Sequence, residues 1–256
     1  MKTSTLGPLR VRRVVKDGPS HREGDPPGSD RPLTCVLLHG FGAPGDDLVP
    51  LADELDVPAG TELLFPEALH ALEDFLFQPS GGARAWWRID VGAIERAILR
   101  GEVRDLTRQV PEGLAEARAA VSAMLDALEA ERGDGTGPLV LGGFSQGAML
   151  SLDVALREPS RRLDGLILLS GTLLAEHEWG PLMPGRRGLP VFQSHGDGDP
   201  VLPFSIAERL RDALRAAGLD VTFDAFHGPH TIPPATLERL GAWLRERAVE
   251  GARANE

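Results

Sequence analysis

Three residues in this chain, in the order Ser145, Asp199 and His230, could together carry nucleophilic chemistry. Ser145 is the centre of Gly143-Phe144-Ser145-Gln146-Gly147, one glycine after the apolar run Leu139-Val140-Leu141 and directly before residues that suit a helix. Such a Gly-x-Ser-x-Gly stretch is read as a nucleophile elbow, where a strand turns sharply into a helix and lifts the serine hydroxyl to the apex. The glycines belong there because side chains would strike the neighbouring strand and helix as the backbone closes around a strained serine. A short pattern also arises by chance in a chain with 30 glycines, so its partners must decide.

A serine hydroxyl is a weak nucleophile until a base takes its proton, and an imidazole does this best when a carboxylate fixes its tautomer. An elbow serine calls for an Asp or Glu and then a His further along the chain, each in a loop past a strand end. Asp199 lies just past the apolar segment Pro190–His195, and His230 lies four residues past Val221–Phe226. Both have rivals. Asp199 precedes Pro200 and could merely initiate a turn, and Asp197 stands two residues before it. His227 competes with His230 but belongs to the strand end, whereas His230 lies in the loop before a helix, where a base can reach Ser145. His21, His70 and His177 have no partner pattern and read as surface or loop residues, and His195 as a structural hydrogen-bonding residue at a strand end.

A tetrahedral intermediate also needs donors aimed at its oxyanion. The backbone N–H of Gln146, directly after the serine, is one. The loop His39-Gly40-Phe41-Gly42 follows an earlier apolar strand and supplies the second, with Phe41 N–H the expected donor. Four elements in the required order point to acyl transfer.

The elements that must position these residues follow from the pattern of the chain. Strands are expected at Arg10–Val15, Leu33–His39, Thr61–Phe65, Leu139–Leu141, Leu163–Leu169, Pro190–His195 and Val221–Phe226. Helices are expected at Asp46–Leu55, Leu114–Leu128, Gln146–Leu156, Phe204–Ala217 and Pro233–Val249. Asp17–Arg31 reads as a flexible connection or wide hairpin loop, residues 66–111 as the least regular part, and Gly251–Glu256 as a frayed tail. Short apolar strands alternating with helices imply βαβ units and a mostly parallel twisted sheet with helices on both faces. The expected organisation is one domain, with residues 1–32 as an N-terminal strand and loop belonging to it, and residues 33–250 as its catalytic body.

Composition bounds the partners. A net charge of −11 and the absence of a basic stripe argue against nucleic acid. A single cysteine, Cys35, leaves no internal disulfide and no cysteine-rich metal site. With no apolar run long enough to span a bilayer and no secretory signal pattern, the expected location is cytoplasmic. Nothing in the sequence addresses oligomeric state.

The stretches His39-Gly40-Phe41-Gly42, Gly143-Phe144-Ser145-Gln146-Gly147-Ala148, His195-Gly196-Asp197-Gly198-Asp199-Pro200-Val201 and His230 resemble the phospholipase/carboxylesterase family of α/β-hydrolases, over about Leu33 to Val249. Trp86-Trp87-Arg88-Ile89-Asp90 is similar to the aromatic-plus-Asp segment those proteins carry near their substrate groove. The resemblance implies a single-domain α/β-hydrolase fold and a triad of Ser145, Asp199 and His230. It also implies an oxyanion held by the Phe41 and Gln146 amides, and no cofactor or metal. The expected activity is serine carboxylester hydrolysis on short- to medium-chain acyl esters, with a lysophospholipase or acyl thioesterase reaction as the alternative. Candidate apolar walls for a small-molecule ester are Phe75, Phe77, Trp86, Trp87, Leu173 and Trp179.

Overall fold

Each run of β-branched and leucine residues in the sequence becomes a strand of one sheet, and its residues alternate between two apolar clusters. In the computed structural model, residues 1–17, 32–76, 81–102, 105–133 and 137–253 are described. Phe77, most of the Asp17–Arg31 connection and the end of the tail lie outside them. Chain order is β1 (Lys2–Leu6), β2 (Leu9–Val15), β3 (Thr34–Leu38), α1 (Leu51–Glu54), β4 (Glu62–Pro66), β5 (His70–Ala71), α2 (Glu73–Leu76), β6 (Arg84–Ala85), α3 (Val91–Arg100) and α4 (Leu114–Arg132). Then come β7 (Leu139–Phe144), α5 (Gln146–Arg157), β8 (Gly165–Leu169), α6 (Glu176–Leu182), β9 (Pro190–Gly196), α7 (Phe204–Ala216), β10 (Asp220–Phe226) and α8 (Pro234–Arg253).

The main sheet has the order β1-β2-β4-β3-β7-β8-β9-β10. From β4 to β10 every neighbouring pair is parallel, and β1 and β2 add an antiparallel hairpin at one edge. All five residues of β3 and of β8 are buried, as a strand covered on both faces requires. Along β3, Val36 and Leu38 join one core with α4, α5 and α7, while Cys35 and Leu37 join the other with α1 and α8. The period-two geometry of the strand thus divides one apolar run between two helical layers. The chain adds β4 on one side of β3 and later β7 on the other. Their carboxyl ends therefore flank a topological switch point, where open α/β sheets bind ligands.

Two expectations need correction. The helix expected over Asp46–Leu55 is a series of tight turns that becomes α1 only at Leu51. Amides bond three residues back, as in Val49 N–H to Asp46 O, and Pro50 has no N–H with which to continue a four-residue ladder. Residues 66–111 are more regular than their composition suggests: Asp90 caps α3 by accepting from the Ala93 N–H at 2.9 Å, and Gly101 ends it in a left-handed conformation. The loop after β8 likewise contains α6. The hairpin strand β1 was not anticipated. No helix among the described residues is long and apolar enough to cross a membrane.

Candidate active site

At the end of β7 the backbone turns into α5 through Ser145, which has φ 54° and ψ −114°. A serine in the positive-φ region is strained, and it persists only where the surroundings over-determine it. The surroundings here are backbone. A Cβ on Gly147 would lie 2.0 Å from the Leu38 carbonyl oxygen, and one on Gly143 would lie 2.4 Å from the same oxygen. The glycines of the motif are therefore required by contact between β3 and the elbow. Ser145 itself is only partly buried.

His230, on the loop between β10 and α8, places Nε2 2.9 Å from Ser145 Oγ and Nδ1 2.6 Å from Asp199 Oδ2. With Nδ1–H donating to the carboxylate, Nε2 is left to accept the serine O–H. The ring of Phe144, beside the serine, packs against the His230 imidazole with centroids 4.9 Å apart. Asp199 has a fully buried side chain. Burial pushes its carboxyl pKa up, but hydrogen bonds from His195 and His230 and from the Leu202 N–H outweigh that and hold it well below the usual carboxylate range. Its Oδ1 accepts from the Val201 and Leu202 amides at 2.8 and 2.9 Å. Asp199 therefore both initiates the turn at Pro200 and faces His230.

The rival residues form a separate pair. Asp197 Oδ2 lies 3.2 Å from His227 Nδ1, and the His227 side chain is 98 % exposed. That pair ties the loops after β9 and β10 together on the outside of the molecule.

The two candidate oxyanion donors lie on the loops after β3 and β7, adjacent strands of the sheet. Among the described residues, neither the Phe41 nor the Gln146 backbone N–H has a protein acceptor. Gln146 also opens α5, whose N-terminal dipole favours a developing negative charge. Gly40 lets the first loop approach the elbow, since a Cβ there would lie 3.2 Å from the Phe144 ring and 3.5 Å from Ser145 Cβ. His39 holds that loop from beneath. It is buried, its Nδ1–H donates to Gly40 O at 2.8 Å, and its Nε2 accepts from Ala68 N–H at 3.1 Å. Burial lowers its pKa, in keeping with a ring that must accept at Nε2.

The Gln146 side chain crosses to the segment 84–87. Its Oε1 accepts from Trp86 N–H and its Nε2 donates to Trp87 O, each at 2.9 Å, while the Trp86 indole N–H donates to His39 O at 2.9 Å. This network joins the elbow, the candidate oxyanion loop and the tryptophan segment. Sequence reasoning assigned none of these three side chains a supporting role, although a Gln directly after the serine and a His directly before Gly40 were visible signals.

The candidate wall residues divide. Trp87 lines a cleft of about 520 Å³ together with Ile89, Leu106, Met149 and Leu174, and Met149 brings it within one helical turn of Ser145. Arg88, Asp90, Asp105 and Glu112 contribute its polar lining. A neighbouring cleft of about 540 Å³ reaches Phe41. Trp86, Leu173 and Trp179 have no exposed surface for a ligand to meet. The indole N–H of Trp179 instead donates to the buried Asp153 at 2.8 Å. Phe75 lies in α2, and Phe77 lies outside the described residues. No group of His, Cys, Asp and Glu able to hold a metal occurs among the described residues.

A parallel sheet of this order, with a strained serine between a central strand and the following helix, defines an α/β-hydrolase. The chain belongs to the phospholipase/carboxylesterase family, whose model matches residues 26–247, and it is a serine hydrolase. It is similar to acyl-protein thioesterase 1 of Cryptococcus neoformans, 27 % identical over 230 residues that cover 83 % of this chain and 91 % of that protein. The match to acyl-protein thioesterase 1 of Neurospora crassa is 33 % identical over 122 residues and spans 46 % of this chain and 49 % of that protein, about half of each. Among solved structures, esterase PE8 superposes with a TM-score of 0.71 at 28 % identity, covering 93 % of this chain and 98 % of that one.

Proposed function

We propose that this chain hydrolyses short- to medium-chain acyl esters through an acyl-enzyme on Ser145, with His230 as base and Asp199 as its orienting carboxylate. The observation that carries the reading is the continuous series of hydrogen bonds from Asp199 Oδ2 through the His230 ring to Ser145 Oγ. Ser145 Oγ attacks the acyl carbon as its proton passes to His230 Nε2, and the Phe41 and Gln146 amides take the charge that develops on the carbonyl oxygen. His230 then returns that proton to the departing alcohol oxygen. In the second half, water attacks the acyl-enzyme, its proton goes to His230, and Ser145 leaves with that proton as the acid is released. The apolar cleft at Trp87, Ile89, Leu106, Met149 and Leu174 is the site proposed for the acyl group.

A thioester runs through the same steps, and the acyl-protein thioesterase relatives support that second reading. A lysophospholipid is less favoured, because Asp90 and Asp105 of the cleft already pair with Arg96 and Arg209, which leaves Arg88 and Glu112 of opposite sign to meet a phosphodiester. Ser145→Ala is expected to abolish p-nitrophenyl ester turnover while the circular dichroism spectrum stays that of the wild type. Turnover that survives this substitution would refute the proposal. Specificity constants for matched ester, thioester and lysolipid substrates separate the readings.

A further inference from the structure

His195 is fully buried on β9, one residue before the strand ends, and the proposed reaction does not use it. Its Nε2 faces two oxygens, Leu202 O at 2.9 Å and Asp199 Oδ2 at 3.3 Å. Its Nδ1 is buried and faces no partner among the described residues. Two acceptors on one side and none on the other assign the ring hydrogen to Nε2, so His195 donates toward Asp199. Asp199 Oδ2 is thereby shared between two imidazoles, one from β9 and one from the loop after β10.

We propose that His195 is a positioning residue for the triad carboxylate: it anchors the 199–202 turn and draws charge from the oxygen that faces His230. The proposal rests on the reading of Ser145, Asp199 and His230 as a catalytic set. A carboxylate oxygen that accepts a second donor is a weaker partner for the imidazolium that forms during catalysis. With His195 in place, Oδ2 offers less charge to the His230 imidazolium than it would if His230 were its sole partner. The other charged groups packed around these loops are occupied among themselves: Asp197 with His227 on the outer side, and Asp224 of β10 with Arg239 and Thr236 of α8. The loops after β7 and β8 present no charged side chain here, since they carry Ser145-Gln146 and Ser170-Gly171-Thr172.

The test is the pH dependence of kcat/KM for a p-nitrophenyl ester in three variants. His195→Phe removes the donor, and His195→Asn moves the amide to the Nδ1 side, away from Oδ2. His195→Gln returns an N–H near the Nε2 position. The midpoint of the acid limb is expected to rise by about half a pH unit or more in the Phe and Asn variants and to return toward the wild-type value in the Gln variant. A midpoint unchanged or lowered in a folded Phe or Asn variant would overturn the proposal, whatever happened to the rate. Imidazole ¹⁵N shifts of the wild-type protein give a reading that needs no variant. Protonated Nε2 with bare Nδ1 on His195 is expected, and the opposite tautomer overturns the proposal. Failure of the triad reading itself is seen separately, as turnover that persists in Ser145→Ala.

Discussion

The carboxylate of Asp199 divides its oxygens between the turn it begins and the histidine it faces, Oδ1 taking two amides and Oδ2 taking His230. Replacing it by Asn keeps the turn acceptor but allows the wrong imidazole tautomer. Asp199→Asn is therefore expected to lower kcat by a factor on the order of 10⁴ with a smaller change in KM, measured by steady-state ester hydrolysis. The depressed carboxyl pKa also has a sign in stability. Below the ordinary carboxylate value of about 4 the unfolded chain takes up a proton that folded Asp199 does not. Its contribution is complete above that pH and is lost as pH falls toward the folded value. Thermal melts between about pH 4 and pH 2 should therefore fall less steeply in Asp199→Asn than in the wild type. That Ser145, Asp199 and His230 come together was legible from order and strand position. His195 was legible only as a hydrogen-bonding residue, because a sequence does not say which carboxylate a buried ring meets.

At the scale of elements, the elbow and the loop 39–42 are held against each other by backbone contact and by the buried side chains of His39, Trp86 and Gln146. Gly147→Ala would set a methyl carbon 2.0 Å from Leu38 O, a clash that no rotamer relieves. The loss of stability in urea unfolding is expected to be roughly 3 kcal/mol or more. His39 lies one step further back. His39→Ala leaves the Ala68 N–H buried without its acceptor and frees Gly40 from its donor, at a cost of roughly 1–3 kcal/mol. It should lower kcat more than it changes KM, because the oxyanion loop is displaced while Ser145 and His230 keep their geometry. The sequence identified most strands to within one or two residues, since buried strands announce themselves as short apolar runs. It misjudged the helix at 46–55 because leucine spacing was weighed above Pro50, and it passed over α3 although Asp90 and Gly101 punctuate both ends.

At the scale of the molecule, the core that α4, α5 and α6 share is tied by buried polar groups as well as packed by apolar ones. Asp153 on α5 is wholly buried and receives Arg118 of α4 at 2.6 Å, Arg157 at 2.9 Å and the Trp179 indole of α6 at 2.8 Å. Asp153→Ala takes the carboxylate partner from the Arg118 guanidinium and the Trp179 indole N–H and leaves Arg157 with Glu178 alone, and a loss of about 3 kcal/mol is expected in chemical denaturation with near-normal ester turnover in the folded fraction. This explains why Trp179 belongs to the scaffold and not to the groove. A long-range contact of that kind leaves no local trace, whereas the alternation of strand and helix that sets the sheet does.

The joint between Gln146 and the backbone of Trp86 and Trp87 has one more consequence. Residues 88–112, which supply most of the cleft lining, meet the elbow across a seam where both Gln146 bonds go to main chain and ignore side-chain identity. The proposed triad and the cleft proposed for the acyl group are therefore separable parts. Exchange of 88–112 for the matching stretch of a relative should redraw the preferred acyl length while a fluorophosphonate still labels Ser145 at the parental rate. A lineage built this way can change its diet without relearning how to bite.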